Sequence, residues 1–273
     1  MIDFDFDFGG RKELVNIENF SRYFITLSNA GDVTKSTFAE TLVEFLDRAK
    51  VEREFYSLDV DHTFTYNKFA AKNKNGTVAP KDEQDPKTNM GLIDITKGKD
   101  LFINTTKSKT KFKIADGPAR GIDDILLNAF EGNVQALIDT FRAQETIPYF
   151  CIPYVSAKCQ MTAQRVYDLM ADVDTDLPIH IVFYVNKGAM KNKEETLSIY
   201  ANDKNVQQLK KKFIVHEIVN DTMFSPVLIT ALKTKKLFEI LAESDTPMSN
   251  PHTETLIREY LFKAQKQFLG LVN

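Results

Sequence analysis

Between residues 23 and 272, short apolar runs alternate with amphipathic stretches of helical period, and this alternation restricts the chain to an α/β fold built on a parallel sheet. The first unit is "YFITLSN" (23–29), a strand, followed by "STFAETLVEFLDRAKV" (36–51), a helix with Phe38, Leu42, Phe45 and Leu46 at helical spacing. "EFYSLDVD" (54–61) is the next strand. Strand, helix and strand in this order make a βαβ unit with a right-handed crossover.

The pattern continues along the chain. "GLIDITK" (91–97) and "DLFINTTK" (100–107) read as two short strands, and "KFKIADGP" (111–118) as a strand ending at a Gly-Pro turn. A long helix is expected over 123–144, a buried strand over 147–155, a helix over 157–173 and a strand over 177–187. A strand at 212–219 and two amphipathic helices, 225–244 and 253–272, complete the series. Residues 65–90 are polar and read as a surface excursion with a helical turn near the start. No repeat or linker interrupts residues 22–273, so one doubly wound, mostly parallel sheet is expected, with residues 1–21 as an N-terminal arm. The arm's "DFDFDF" fits an edge strand or an acidic, aromatic segment that docks on a partner, and the two readings stay open.

A chain of 273 residues buries roughly three-quarters of its unfolded surface, so neither disulfide nor metal is needed to hold it together. A formal charge of −3 gives no general attraction to nucleic acid or anionic lipid. Cys151 and Cys159 form no metal-ligand cluster and read as two buried thiols, and the four histidines are scattered. Without a basic leader or a long apolar stretch, the chain is expected to be cytoplasmic.

The segment "LSNAGDVTKSTFAETL" (27–42) joins the first strand to the first helix. A phosphate-binding loop at such a junction curls backbone N–H groups around the anion, places a lysine on the terminal phosphates and a hydroxyl on Mg²⁺. Gly31, Lys35, Ser36 and Thr37 suit that chemistry, whereas Asn29 and Thr34 occupy the two usual glycine positions. By itself the segment fits better as a helix cap at Ser36 with Lys35 in solvent. The surroundings favour the phosphate reading. Asp59 and Asp61 end the second strand, and Asp116 ends a later one, which collects three carboxylates at the edge where ligands of open α/β sheets bind.

"AGDVTKST" (30–37), "LDVD" (58–61), "ADGPARG" (115–121) and "FYVNK" (183–187) resemble, in order, the motifs of the deviant P-loop ATPases of the ParA/MinD class, most closely its StbB-like plasmid-stability branch. The resemblance implies ATP and Mg²⁺ as cofactors, with Gly31, Asp32, Val33, Thr34, Lys35, Ser36 and Thr37 lining the phosphates. It implies that Lys35 contacts the β- and γ-phosphates, that Ser36, Asp59 and Asp116 serve the metal, and that Asp61 orients the attacking water. Gly117 would sense the γ-phosphate and Asn186 would face the base. A switch in plasmid partition, plasmid stability or conjugative transfer is implied, working as a homodimer with a small DNA-binding adaptor. Ala30 stands where ParA and MinD loops carry a second lysine, so a pseudo-ATPase scaffold is the alternative.

Lys210, Lys211, Lys212, Lys233, Lys235 and Lys236 could meet DNA phosphates non-specifically, and a solvated helix face is the simpler reading. The last helix, with Leu256, Tyr260, Leu261, Phe268, Leu269 and Leu271, reads as packed on the sheet rather than laid on a membrane.

Overall fold

The computed structural model describes residues 17–29, 34–61, 63–97, 99–121, 123, 125, 130, 132–242 and 251–272. Residues 1–16 of the arm and the candidate loop residues Gly31, Asp32 and Val33 lie outside the described residues, and Ser21, read as the arm's last residue, opens the first strand. Seven strands form one sheet: β1 (Ser21–Thr26), β2 (Arg53–Ser57), β3 (Gly91–Leu92), β4 (Phe112–Asp116), β5 (Thr146–Tyr154), β6 (His180–Asn186) and β7 (Ile214–Asn220). Their spatial order is β3-β2-β4-β1-β5-β6-β7, and every pair is parallel. The doubly wound sheet expected from the sequence is present, and it is parallel throughout. Strands β2, β4 and β5 are buried along their whole length, β5 as an almost continuous apolar run and β2 and β4 with Arg53, Glu54, Lys113 and Asp116 buried among their apolar residues.

Helix α1 (Lys35–Arg48) lies on one face of the sheet, and its buried stripe Phe38, Leu42 and Leu46 follows the helical period. Phe38 packs against Tyr184 of β6 and Phe268, with ring centroids 5.4 and 5.7 Å apart. The short helix α2 (Phe64–Phe69) is the helical turn expected at the start of the polar excursion. Segment 100–107 is not a strand: it belongs to α3 (Lys99–Thr106), whose Phe102 stacks on Tyr23 and meets Phe141 edge-on. The other apolar run contributes only the two residues of β3. Four-residue apolar clusters between polar residues carry no period long enough to separate helix from strand.

The expected 123–144 helix is narrower among the described residues, α4 (Val134–Ala143), opened by Asn133 Oδ1 accepting from the Ala136 amide at 3.0 Å. Helix α5 (Cys159–Met170) follows as read. Two helices escaped the pattern, α6 (Lys193–Asn202) and α7 (Lys204–Lys212). Asp203 separates them by ending the first and capping the second through the Asn205 and Val206 amides. The expected 225–244 helix is split into α8 (Pro226–Ala231) and α9 (Leu237–Ala242) by a turn at Leu232–Lys236, so Lys233, Lys235 and Lys236 do not share a helix face. Helix α10 (Pro251–Val272) buries Ile257, Tyr260, Ala264, Phe268 and Leu271, and packs against β7 and α1. Leu269, read as part of the apolar stripe, is exposed. No helix among the described residues is long and apolar enough to cross a membrane.

Cys151 and Cys159 are buried free thiols, as read. The histidines are not all scattered. His180 Nδ1 and His216 Nε2 lie 2.8 Å apart, because β6 and β7 set Val182 beside His216 and bring the neighbouring His180 into reach.

Candidate functional site

In a parallel sheet the loops leave from the carboxyl ends of the strands, and the polar side chains gather there. Thr26, the last residue of β1, donates its hydroxyl to Asp116 Oδ1 at 3.1 Å and accepts from the Gly117 amide at 2.9 Å. Asp116 is buried, and burial pushes its carboxyl up despite hydrogen bonds from Ser36, Thr26 and Thr65 and the positive charge of Lys35. The structure therefore brings Lys35, Ser36 and Thr26 to Asp116, and Thr26 ties Asp116 to the Gly117 amide. Only glycine fits at 117, since a Cβ there would lie 2.2 Å from the Thr26 carbonyl oxygen.

Thr34 precedes α1 with φ 65° and ψ 23°, the left-handed region that a β-branched residue enters at a cost. Its side chain makes no cap, and neither Thr34 Oγ1 nor Asn29 Oδ1, both buried, has a hydrogen-bond partner among the described residues. No acidic residue occupies the first turn of α1, so the positive end of that helix meets no carboxylate of its own. These are the features of an anion cradle: a left-handed residue, an uncapped helix start, and a lysine with a hydroxyl behind it. The half-buried Thr37 accepts the Thr41 hydroxyl on its carbonyl at 2.6 Å.

Asp59 and Asp61 lie in the loop after β2, where Asp61 is exposed and its amide meets Asp59 Oδ1 at 3.2 Å. Asn186 ends β6 on the opposite side of β1, buried and bonded through its Oδ1 to Asn220 Nδ2 at 2.8 Å.

Sequence reasoning missed the charged groups packed behind Ser36 and Asp116. Glu40, one turn beyond Ser36, forms a buried ion pair with Lys68 of α2 and accepts from the Thr65 hydroxyl at 3.1 Å. Burial lifts the Glu40 carboxyl, with Lys68 pulling the other way and Asp116 adding repulsion. The available signal was the acidic spacing of Glu40 and Glu44 on the inner side of an otherwise apolar helix. Glu44 closes the next turn by accepting from the Leu237 and Phe238 amides, each at 3.0 Å, and burial raises its carboxyl to about 7.

Among known structures, the fold matches that of a ParA family ATPase from Chlorobium tepidum with a TM-score of 0.51 at 11% identity, over 89% of this chain and 98% of the other. A MinD cell division protein from Aquifex aeolicus matches with a TM-score of 0.47 at 13% identity, over 92% and 97% of the two chains. A putative plasmid partition protein from Borrelia burgdorferi, bound to AMPPNP, gives 0.47 at 13% identity over 92% and 99%. No protein-family model and no curated protein sequence matches the chain. The chain has the fold of the ParA/MinD-type P-loop ATPases.

Proposed function

We propose that this chain is a Mg²⁺-nucleotide-dependent switch of the ParA/MinD kind, acting in plasmid partition or stability or in conjugative transfer. The observation that carries the proposal is the convergence of Lys35, Ser36, Thr26, Asp116 and Gly117 at the start of α1. The residues suit the group: a lysine and helix N-terminus for phosphates, a hydroxyl and a carboxylate for a hydrated Mg²⁺. Ser36 and Asp116 would hold the metal, with Asp59 in support, while Lys35 and the loop 31–37 take the phosphates. Bound metal would supply charge neutralisation at the β- and γ-phosphates. Asp61, exposed beside Asp59, would be free to orient water, giving ATP hydrolysis of low rate.

In this reading residues 22–273 act as one domain in the cytoplasm. A homodimer working with a small DNA-binding adaptor completes the picture, and the exposed Lys211 contributes to any DNA contact. A basic surface built on Lys210 and Lys236 draws little support, because Lys210 pairs with Glu217 at 2.6 Å and Lys236 covers the Phe69 ring.

A second reading has its own observation. Thr34 occupies a left-handed position that phosphate loops give to glycine, which favours a pseudo-ATPase scaffold that keeps the fold without turnover. Calorimetry with MgATP and MgADP on the native chain and on Lys35→Ala separates them. Micromolar binding lost in the variant supports the switch; no binding at millimolar nucleotide leaves the scaffold.

A further inference from the structure

Strand β7 is one margin of the sheet, and the direction of its backbone groups can be read from a single side chain. Gln267 of α10 accepts from the Val219 amide at 2.5 Å and donates to the Val219 carbonyl at 2.9 Å, as a neighbouring strand would. Alternate residues of a strand turn their backbone groups to the same side, so those of Val215 and Glu217 also point away from β6. Ile214 points the other way, and its amide donates to the Ile179 carbonyl at 3.2 Å. No described residue pairs with the backbone of Val215 or Glu217. Helix α10 descends along β7, since Lys263 meets Asp221 beyond the top of the strand and the Leu271 carbonyl meets Arg22 near the foot of β1. Gln267 thus closes only the upper part of the edge. One turn further down stands Gly270, where an added Cβ would meet nothing within 4 Å. An apolar edge left unpaired is a template for another strand, and this one shows Ile214, 40% exposed, and the half-buried Val215.

The chain carries a segment of matching pattern. Residues 3–8, "DFDFDF", have the period of a strand with one aromatic and one acidic face. The chain enters the sheet at Ser21, the foot of β1, and Ile214 begins β7 at the same foot. The two feet are three strands apart, roughly 14 Å at about 4.8 Å per strand. Residues 9–16 can reach about 26 Å at about 3.3 Å per residue, which exceeds that span. The last turn of α7 places Lys210, Lys211 and Lys212 just before this foot, opposite in charge to Asp3, Asp5 and Asp7. The other margin, β3, has two residues and offers too short a ladder.

We propose that residues 3–8 pair with β7 along Val215 and Glu217 and complete the sheet with an eighth strand. The segment reaches the foot by its carboxyl end, so it runs down as β7 runs up, and the pairing is antiparallel. Amide hydrogen exchange of the full chain, read by NMR, tests this against a chain lacking residues 2–8. The Val215 and Glu217 amides should exchange at least about tenfold more slowly in the full chain, the worth of one hydrogen bond. Phe4→Ser, Phe6→Ser and Phe8→Ser together should give the same loss as the deletion. The Val219 amide, held by Gln267, should stay protected in all three chains and shows that each is folded. Equal exchange at Val215 and Glu217 in the three chains overturns the proposal and leaves the arm to a partner. Protection that disappears on dilution overturns it as well, because a second copy then supplies the strand.

Discussion

Glu40 of α1 and Lys68 of α2 form an ion pair inside the protein, with Glu40 held above the usual carboxylate range by burial and by neighbouring Asp116. Two charges removed from water are tolerated only as a pair, so removing one leaves the other uncompensated. Lys68→Met should cost about 3 kcal/mol in denaturant unfolding, and the double variant with Glu40→Gln should recover most of that loss. If the double variant is no more stable than the single one, the pair is not what holds α2 to α1.

At Thr34 the left-handed backbone makes a prediction of opposite sign. Glycine relieves the Cβ strain of about 1–2 kcal/mol, less its own entropy cost of about 0.5–1 kcal/mol. Thr34→Gly should therefore raise Tm slightly and tighten MgATP binding. An unchanged affinity with a raised Tm would point to the scaffold reading.

Gly117 should tolerate no side chain. Gly117→Ala drives a methyl to within 2.2 Å of the Thr26 carbonyl oxygen, and a backbone atom cannot give way. A loss of about 3 kcal/mol is expected, together with loss of nucleotide binding. Gly270→Ala is the control, because nothing lies within 4 Å of the added carbon and it sits in α10. That change should stabilise by up to about 1 kcal/mol.

Two groups make stability depend on pH in opposite directions. His180 is pulled down to about 3 by burial, then by His216 and Arg22, against 6.5 when unfolded. The unfolded chain binds more protons between those values, so its contribution is complete above pH 6.5 and is lost on acidification, about 2 kcal/mol by pH 5. Glu44, raised to about 7 from 4.5, binds its proton in the folded state first, so its contribution is complete below 4.5 and is lost as pH rises toward 7. Wild-type Tm should thus vary weakly between pH 5 and 7. Glu44→Gln removes the compensation and should expose a steep acid loss, which a further His180→Phe change should flatten.

Legibility followed the physics of each element. Strands β5 and β6 were visible as long apolar runs and β1, β2 and β4 as shorter apolar clusters bounded by polar residues, and their order placed Lys35, Ser36 and Asp116 at one edge. Helices α6 and α7 were hidden because they cover little of the sheet. In α7 only Val206 and Leu209 are buried, too few for a period to show. Thr26 looked like one more strand residue; its role depends on β4 pairing beside β1, a contact of residues 90 apart. Lys68 stayed hidden for the same reason: the spacing of Glu40 and Glu44 on α1 marked the acidic partner, but nothing in the sequence placed Lys68, 28 residues on, against it.

Tyr260 of α10 hydrogen-bonds Thr41 of α1 at 2.6 Å and Tyr184 of β6 at 3.3 Å, and Tyr184 in turn bonds Asn220. One phenol on the C-terminal helix is thus the shared joint of the helix that starts at Lys35 and the amides at the far end of the same edge. Shortening the chain ahead of Tyr260 would open a joint at both ends of the site at once, so ligand measurements made on such a fragment would describe a different pocket from that of the whole chain.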